Sequence, residues 1–197
     1  MDYRFVFFVE YIGPLLLWPV FNRTLSLTSI MWYFHYVKRE FETFFVHVFS
    51  NETMPIKNLV RNSAYYWSFA ALNAFMARDV YVGDLNVFLT LSLIGFFFCE
   101  LMNGYCHVVL RNLRPKGSTE YVNPTNPLFV LVACPNYSFE LLSWLCFGLF
   151  VRNAAAFAFL AAGFYQINQW AREKQQRLAK TFGKAGERKY RLFVGIL

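Results

Sequence analysis

Six apolar runs follow one another along the chain, at about residues 5–21, 25–48, 62–82, 86–110, 128–151 and 153–170. Little separates them but Pro, Asn, Gly and charge clusters. The fourth, NVFLTLSLIGFFFCELMNGYCHVVL, holds a single carboxylate between residues 86 and 110. Runs of this kind are sized for a bilayer, which takes ~20 apolar residues per helix. Hydropathy is weakest for the first two. With 57% hydrophobic and 16% charged residues, 197 residues of soluble protein would show too little charge. The sequence therefore predicts an all-α fold, a multi-pass membrane helix bundle of six to seven spans around a mid-membrane cavity. Residues 1–197 form one membrane domain, with 171–197 as a basic tail. Residues 1–21 do not read as a signal peptide, because Asp2, Arg4, Glu10 and Pro14 interrupt the run and no small-residue cleavage site follows.

Loop charge sets the orientation. Lys57 and Arg61 lie in one loop and Arg111, Arg114 and Lys116 in another, while the tail carries eight further cations from Arg172 to Arg191. The opposite loops offer only Arg23, Arg78 and Arg152. By the positive-inside rule both termini face the cytosol or its equivalent. The tail reads first as a topology signal and second as a binder of acidic headgroups. Sequons at Asn22, Asn51 and Asn136 sit too near the membrane, on the cytosolic side or at membrane depth, so none is expected to carry sugar. Cys99, Cys106, Cys134 and Cys146 lie in apolar stretches without metal-like spacing, which predicts buried thiols and no metal site.

Polar residues interrupt these runs where lipid should be. ACPNYSFELLSW, residues 133–144, places Pro135, Asn136, Tyr137 and Glu140 inside an apolar run. Glu10 interrupts the first run, and His35, Lys38, Arg39 and Glu42 fall on one helical face of the second. In the fourth, Glu100, Asn103, His107, Arg111 and Arg114 fall within an arc of roughly 80° at 100° per residue. Such stripes can be interhelical ion pairs alone, and Arg111 and Arg114 can be boundary anchors. Four stripes of both charge signs in one small chain favour a shared cavity. The two arginines suit phosphates at its mouth, with a polar ligand body dipping inward. There is no Gly-rich phosphate loop, which excludes a soluble-type Rossmann site.

Assembled, these residues resemble the very-long-chain trans-2-enoyl-CoA reductases, membrane members of the steroid 5α-reductase family. The resemblance runs from about Val9 to Trp170 and rests on EYIGPL, FHYVKREFETFFVHVFSNETMPIKNLVRNSAYYWSFA, HVVLRNLRP, NPTNPLF and CPNYSFELLSW. It implies reduction of a long-chain 2-enoyl-CoA by NADPH in fatty-acid elongation at the endoplasmic reticulum. It implies that Tyr137 and Lys38 match the family's essential pair, and that Glu10 and Tyr36 fall where steroid reductases hold the substrate carbonyl. Asn103, His107, Arg111, Arg114, Asn136, Glu140 and Lys174 are implied as the cofactor-binding set. The partners implied are an acyl-CoA, the bilayer and other membrane subunits, with no nucleic acid.

Two departures accompany the resemblance. The family's amino-terminal ubiquitin-like portion has no counterpart here. In the carboxy-terminal lobe, where the family has aromatic, Y-P, arginine and proline positions, this chain reads Leu178, Ala185-Gly186, Lys189 and Val194. A second reading follows from that drift, a catalytically degenerate accessory subunit of a larger membrane complex, for instance in the mitochondrial inner membrane.

Overall fold

The computed structural model describes residues 1–49, 53–78, 85–114, 118 and 120–195. Asn51, Lys116 and residues 79–82 of the third run lie outside the described residues. Among those described, the regular structure is helical: α1 (Tyr3–Phe21), α2 (Leu27–Phe41), α3 (Ile56–Ala77), α4 (Val87–Asn112), α5 (Pro127–Leu131), α6 (Pro135–Val151) and α7 (Ala154–Phe182). A π-helical turn, Glu42–Val46, extends α2, and a 3-10 turn, Gly183–Gly186, ends α7.

Side-chain caps mark the starts. Asp2, Ser26, Asn86, Asn126 and Asn153 each accept a backbone N–H of their helix's first turn, at 2.8–3.2 Å. Each satisfies a donor that helix geometry leaves open. Between α6 and α7 the chain reverses in two residues: Arg152 adopts φ 52°, ψ 40°, and Asn153 caps the next helix.

The main core lies where α1, α2, α4 and α6 converge, closed by Ala70, Ala74 and Ala77 of α3 and Ala156 and Phe159 of α7. Trp18 and Trp32 stack at 4.5 Å, and Phe96, Trp144, Phe147 and Phe150 complete the buried aromatic mass. α1 packs along α3 at Gly13, where an added Cβ would fall about 2 Å from the Trp67 indole, so the close approach requires glycine. α4 packs along α6. Its outward face carries Leu91, Ile94, Phe98 and Leu101, each more than half exposed, while Phe96, Glu100, Asn103 and His107 are buried inward. A helix that is apolar outside and polar inside is built for lipid.

Among the described residues two helices, α1 and α4, are individually long and apolar enough to cross a bilayer. The six to seven spans of the sequence reading are not reached on that measure, although the first run, judged weak, meets it. The reason lies in the remaining helices. α2 ends in Lys38 and Arg39, α3 begins with Lys57 and Arg61, and α6 has 17 residues. The apolar part of α7 runs straight on into the basic tail, a 29-residue helix in place of a span followed by a loose tail.

Candidate active site

The fifth run is not one helix. It breaks at 132–134, and Pro135 occupies the first turn of α6, where its missing N–H costs nothing. The tail fills the break. Val132 forms an isolated parallel bridge with Tyr190, the Ala133 and Cys134 N–H groups donate to the Tyr190 and Arg191 carbonyls at 2.9 and 3.1 Å, and Tyr190 donates to Leu131 at 3.0 Å. Ser138 Oγ donates to the Leu192 carbonyl. Asn136, Tyr137 and Glu140 thus sit at a helix start braced by the chain's own carboxy-terminal segment.

That segment is anchored by Arg188, in the sequence only one of eight tail cations. Its guanidinium is buried and donates to the carbonyls of Phe129, Ala185, Glu187 and Pro124 and to Asn123 Oδ1. Burial lowers its pKa from the ordinary arginine value, and five oxygens stand in for lost water. Arg188 is therefore not available to a ligand. Gly186 lies against the Leu178 carbonyl, 2.1 Å from where a Cβ would be, and Leu178 is buried beside Leu192. The drifted positions Leu178 and Gly186 fit each other.

A cavity of about 410 Å³ opens beside this brace. Its wall includes Tyr137, Asn136 and Cys134 from the start of α6, His107 and Arg111 from α4 with Arg114 just past its end, and Lys174 and Arg177 from α7. Five cationic side chains line it, counting Arg39, and no carboxylate does. Arg39 is held by Glu42 at 2.8 Å and by the Tyr11 hydroxyl at 2.7 Å. Arg111, Arg114, Lys174 and Arg177 meet no carboxylate among the described residues. Arg177 lies over the Tyr121 ring at 4.4 Å, and the Lys174 ammonium over the Tyr137 ring at 4.5 Å.

Behind the wall lies a second polar region, closed on itself. His35 bridges Glu100 at 2.8 Å and Glu140 at 3.5 Å. Lys38 sits 3.1 Å from Glu100 Oε2, an ion pair without hydrogen-bond alignment, and 3.3 Å from Glu42, and it donates to Asn103 Oδ1. Asn103 in turn donates to the Asn136 carbonyl at 2.9 Å and to Glu140 at 3.2 Å. His107 Nδ1 lies 3.0 Å from Glu42. Ligand atoms of Glu42, His47 and His107 lie within 4.8 Å of one another, close enough for a metal ion. Arg39 and Lys38 already hold that carboxylate, and two fixed cations repel a third.

Of the residues singled out from sequence, Tyr137, Asn136, His107, Arg111, Arg114 and Lys174 share the cavity wall. Lys38, Asn103 and Glu140 form the network behind it. Glu10 and Tyr36 lie elsewhere. Glu10 is buried and accepts from Asn62 at 2.9 Å, and Tyr36 is enclosed by Trp32, His35 and Trp144. The lysine beside Tyr137 is Lys174, not Lys38. Sequence reading did not single out Arg177 and Tyr121; Arg177 was legible only as lying three residues after Lys174, on the same helix face.

Comparison with known proteins places this geometry. Residues 52–194 match the family model described as 3-oxo-5-alpha-steroid 4-dehydrogenase. The chain is 39% identical, over 91% of its length and 67% of the relative's, to a probable very-long-chain enoyl-CoA reductase, art-1, of Caenorhabditis elegans. It is 35% identical, over its whole length and 71% of the relative's, to a very-long-chain enoyl-CoA reductase of Dictyostelium discoideum. A mouse protein named trans-2,3-enoyl-CoA reductase-like is 30% identical over 98% of the chain and 60% of its own length. The chain belongs to the 3-oxo-5-alpha-steroid 4-dehydrogenase family.

Proposed function

We propose that this protein is an enoyl-CoA reductase that reduces the 2,3-double bond of long-chain trans-2-enoyl-CoA with NADPH, as a step of fatty-acid elongation. The observation that carries the reading is the cavity wall: four cations that meet no carboxylate among the described residues converge beside Tyr137. A wall of that charge suits a polyanionic dinucleotide, and the names of the relatives supply the acceptor.

Arg111, Arg114 and Arg177 are assigned to the phosphates, where the planar guanidinium matches paired oxygens. His107 and Asn136 are assigned to the body of the cofactor. A bound reduced nicotinamide supplies the hydride that reaches the β-carbon of the enoyl thioester. Tyr137 then acts at the developing charge: its hydroxyl donates a hydrogen bond to the thioester oxygen or a proton to the α-carbon. Lys38 is a positioning residue. It fixes Asn103, which binds the Asn136 carbonyl next to Tyr137 and the Glu140 carboxylate one helical turn on. Glu10 and Tyr36, packed away from the cavity, are assigned to the fold.

The accessory-subunit reading would leave the tail to a neighbouring chain or to lipid. The pairing of 190–192 with 131–138 of the same chain speaks against it. We further propose that residues 1–197 act as one membrane domain in the endoplasmic reticulum. α1–α4, α6 and α7 cross the bilayer, both termini are cytosolic, and other elongation subunits are the neighbours. The test is turnover of hexadecenoyl-CoA by the purified protein in nanodiscs, followed by loss of reduced-nicotinamide absorbance. Saturable NADPH binding with turnover is expected, and no binding at millimolar cofactor would remove the reading.

A further inference from the structure

At one corner of the cationic cavity Tyr121, from the chain between α4 and α5, is held against two side chains of α7. The Arg177 guanidinium lies over its ring at 4.4 Å, and Phe182 stacks with it at 5.8 Å, the planes 25° apart. The chain that carries Tyr121 is fixed to the carboxy-terminal segment. Arg188 donates to Asn123 Oδ1 at 2.6 Å and to the Pro124 carbonyl at 2.9 Å, and Asn123 donates to the Ala185 carbonyl at 2.8 Å. The platform is therefore formed before any ligand arrives. Arg177 itself is exposed and lines the cavity, so its guanidinium keeps edges and a face free. Burial raises the Tyr121 pKa, while Lys174, Arg177 and Arg114 pull it back, so three cations act on one hydroxyl. Glu120, the neighbouring carboxylate, is exposed and does not line the cavity.

Resting on the reading above, we propose that Arg177, Tyr121 and Arg114 form the site for a phosphate monoester on an adenosine ribose, with the adenine stacked on the Arg177 guanidinium. The occupant follows from charge and shape together. A phosphate monoester carries about −1.5 to −2 near neutrality and presents three oxygens, more charge than either phosphate of a pyrophosphate link. Three converging cations suit the monoester, and the planar fork of an arginine binds its oxygens in pairs. A guanidinium plane is also a stacking surface for a base, so one side chain can hold both the phosphate and the adenine beside it. Tyr121 keeps that guanidinium in place through its ring, and its hydroxyl stands among the cations as a further donor. Both molecules of the proposed reaction carry such a group. In NADPH it is on the 2′ oxygen, in coenzyme A it is on the 3′ oxygen, and NADH lacks it.

The experiment is equilibrium binding of adenosine 2′,5′-bisphosphate, adenosine 3′,5′-bisphosphate and ADP to the whole protein in nanodiscs. Each has one adenine and two phosphates, but ADP has none on a secondary ribose hydroxyl. One bisphosphate should bind about tenfold tighter than ADP or better, the scale of a charge-assisted hydrogen bond. The 2′ isomer in front assigns the corner to NADPH, and the 3′ isomer in front assigns it to the acyl-CoA. Arg177→Ala should remove the advantage, and Arg177→Lys, which keeps the charge without the fork, should restore only part of it. In the 2′ case the ratio of kcat/KM with NADPH to that with NADH should also fall about tenfold in Arg177→Ala. ADP binding as tightly as both isomers, or an advantage that survives Arg177→Ala, would overturn the proposal. Binding is read without turnover. A protein that reduces no enoyl-CoA but keeps the advantage loses the reductase reading and keeps this site. One that reduces enoyl-CoA with NADPH and NADH alike, and shows no advantage, keeps the reading and loses the site.

Discussion

Two polar regions lie within one side chain of each other, and they differ in how their charges are answered. In the network of α2, α4 and α6, every cation faces a carboxylate of the protein: Lys38 faces Glu42 and Glu100, and Arg39 faces Glu42. Across the wall, Arg111, Arg114, Lys174 and Arg177 face open space. The first region is complete as it stands, so its contribution is to hold helices in place. The second is incomplete, and an unanswered cluster of cations calls for an anion from outside. On the proposed function, the first group positions the chemistry and the second touches its ligands.

The sharpest way to break that division is Tyr137→Phe. The phenol is on the ligand side, so its removal should lower turnover by about 10²–10⁴-fold. The ring still packs near Trp170, so thermal stability and NADPH affinity should stay near those of the parent. Equal turnover would take Tyr137 out of the mechanism. A loss of stability matching the loss of rate would move it to the network side.

Glu42→Ala tests the other side. The substitution leaves Lys38, Arg39 and His107 around a vacated carboxylate. Breaking a buried charge network in this way costs about 3–5 kcal/mol. The expected readout is a lower unfolding temperature in detergent, with turnover lost in proportion to folded protein. A stable variant with weakened cofactor binding would mean that Glu42 serves the ligand directly.

Arg114→Ala is the intermediate case. A charge-assisted hydrogen bond to a phosphate is worth about 1.5–3 kcal/mol, so NADPH affinity should fall roughly tenfold to a hundredfold. Stability should be unmoved, because Arg114 has no carboxylate partner among the described residues to orphan. The loss should shrink as salt rises, since the interaction lies at an open mouth. If affinity holds and stability falls, Arg114 belongs with the membrane-boundary anchors.

How much of this division was legible in the sequence depends on the range of the contact. The α4 stripe was, because helical periodicity alone puts Glu100, Asn103 and His107 on one face. The α2 face was legible for the same reason. The break at 132–134 was legible only in part: Pro135 disfavours helix at the residue before it, but Val132, Ala133 and Cys134 are apolar, and their partner in the bridge, Tyr190, lies far along the chain. Arg188 was read as one tail cation among eight, since nothing local shows that its neighbours are carbonyls. Only α1 and α4 reach the length and hydropathy of a span among the described residues, because Lys38 and Arg39 in α2, Lys57 and Arg61 in α3 and the cations from Arg172 to Lys180 in α7 lower the means of those helices.

The choice between the two lysines shows the limit most clearly, and its test carries the smallest expected effect. The resemblance pairs Tyr137 with Lys38, but Lys38 is spent on Glu42, Glu100 and Asn103, and Lys174 stands over the phenol ring. Lys174 is at an exposed position, where a cation over an aromatic face is worth about 0.5–1 kcal/mol. Lys174→Met should therefore lower kcat about two- to fivefold and leave stability unchanged, with the alkaline limb of the pH–rate profile shifted. Lys174→Arg should restore most of the rate, since it keeps the charge. Lys38→Met should act through the fold instead: it leaves Glu100 and Glu42 short of a cation and lets Asn103 swing from the Asn136 carbonyl. Its loss of rate should follow its loss of stability. If Lys38→Met slows a fully folded enzyme and reshapes its pH profile while Lys174→Met does neither, the assignment reverses, and the closed network takes part in proton delivery.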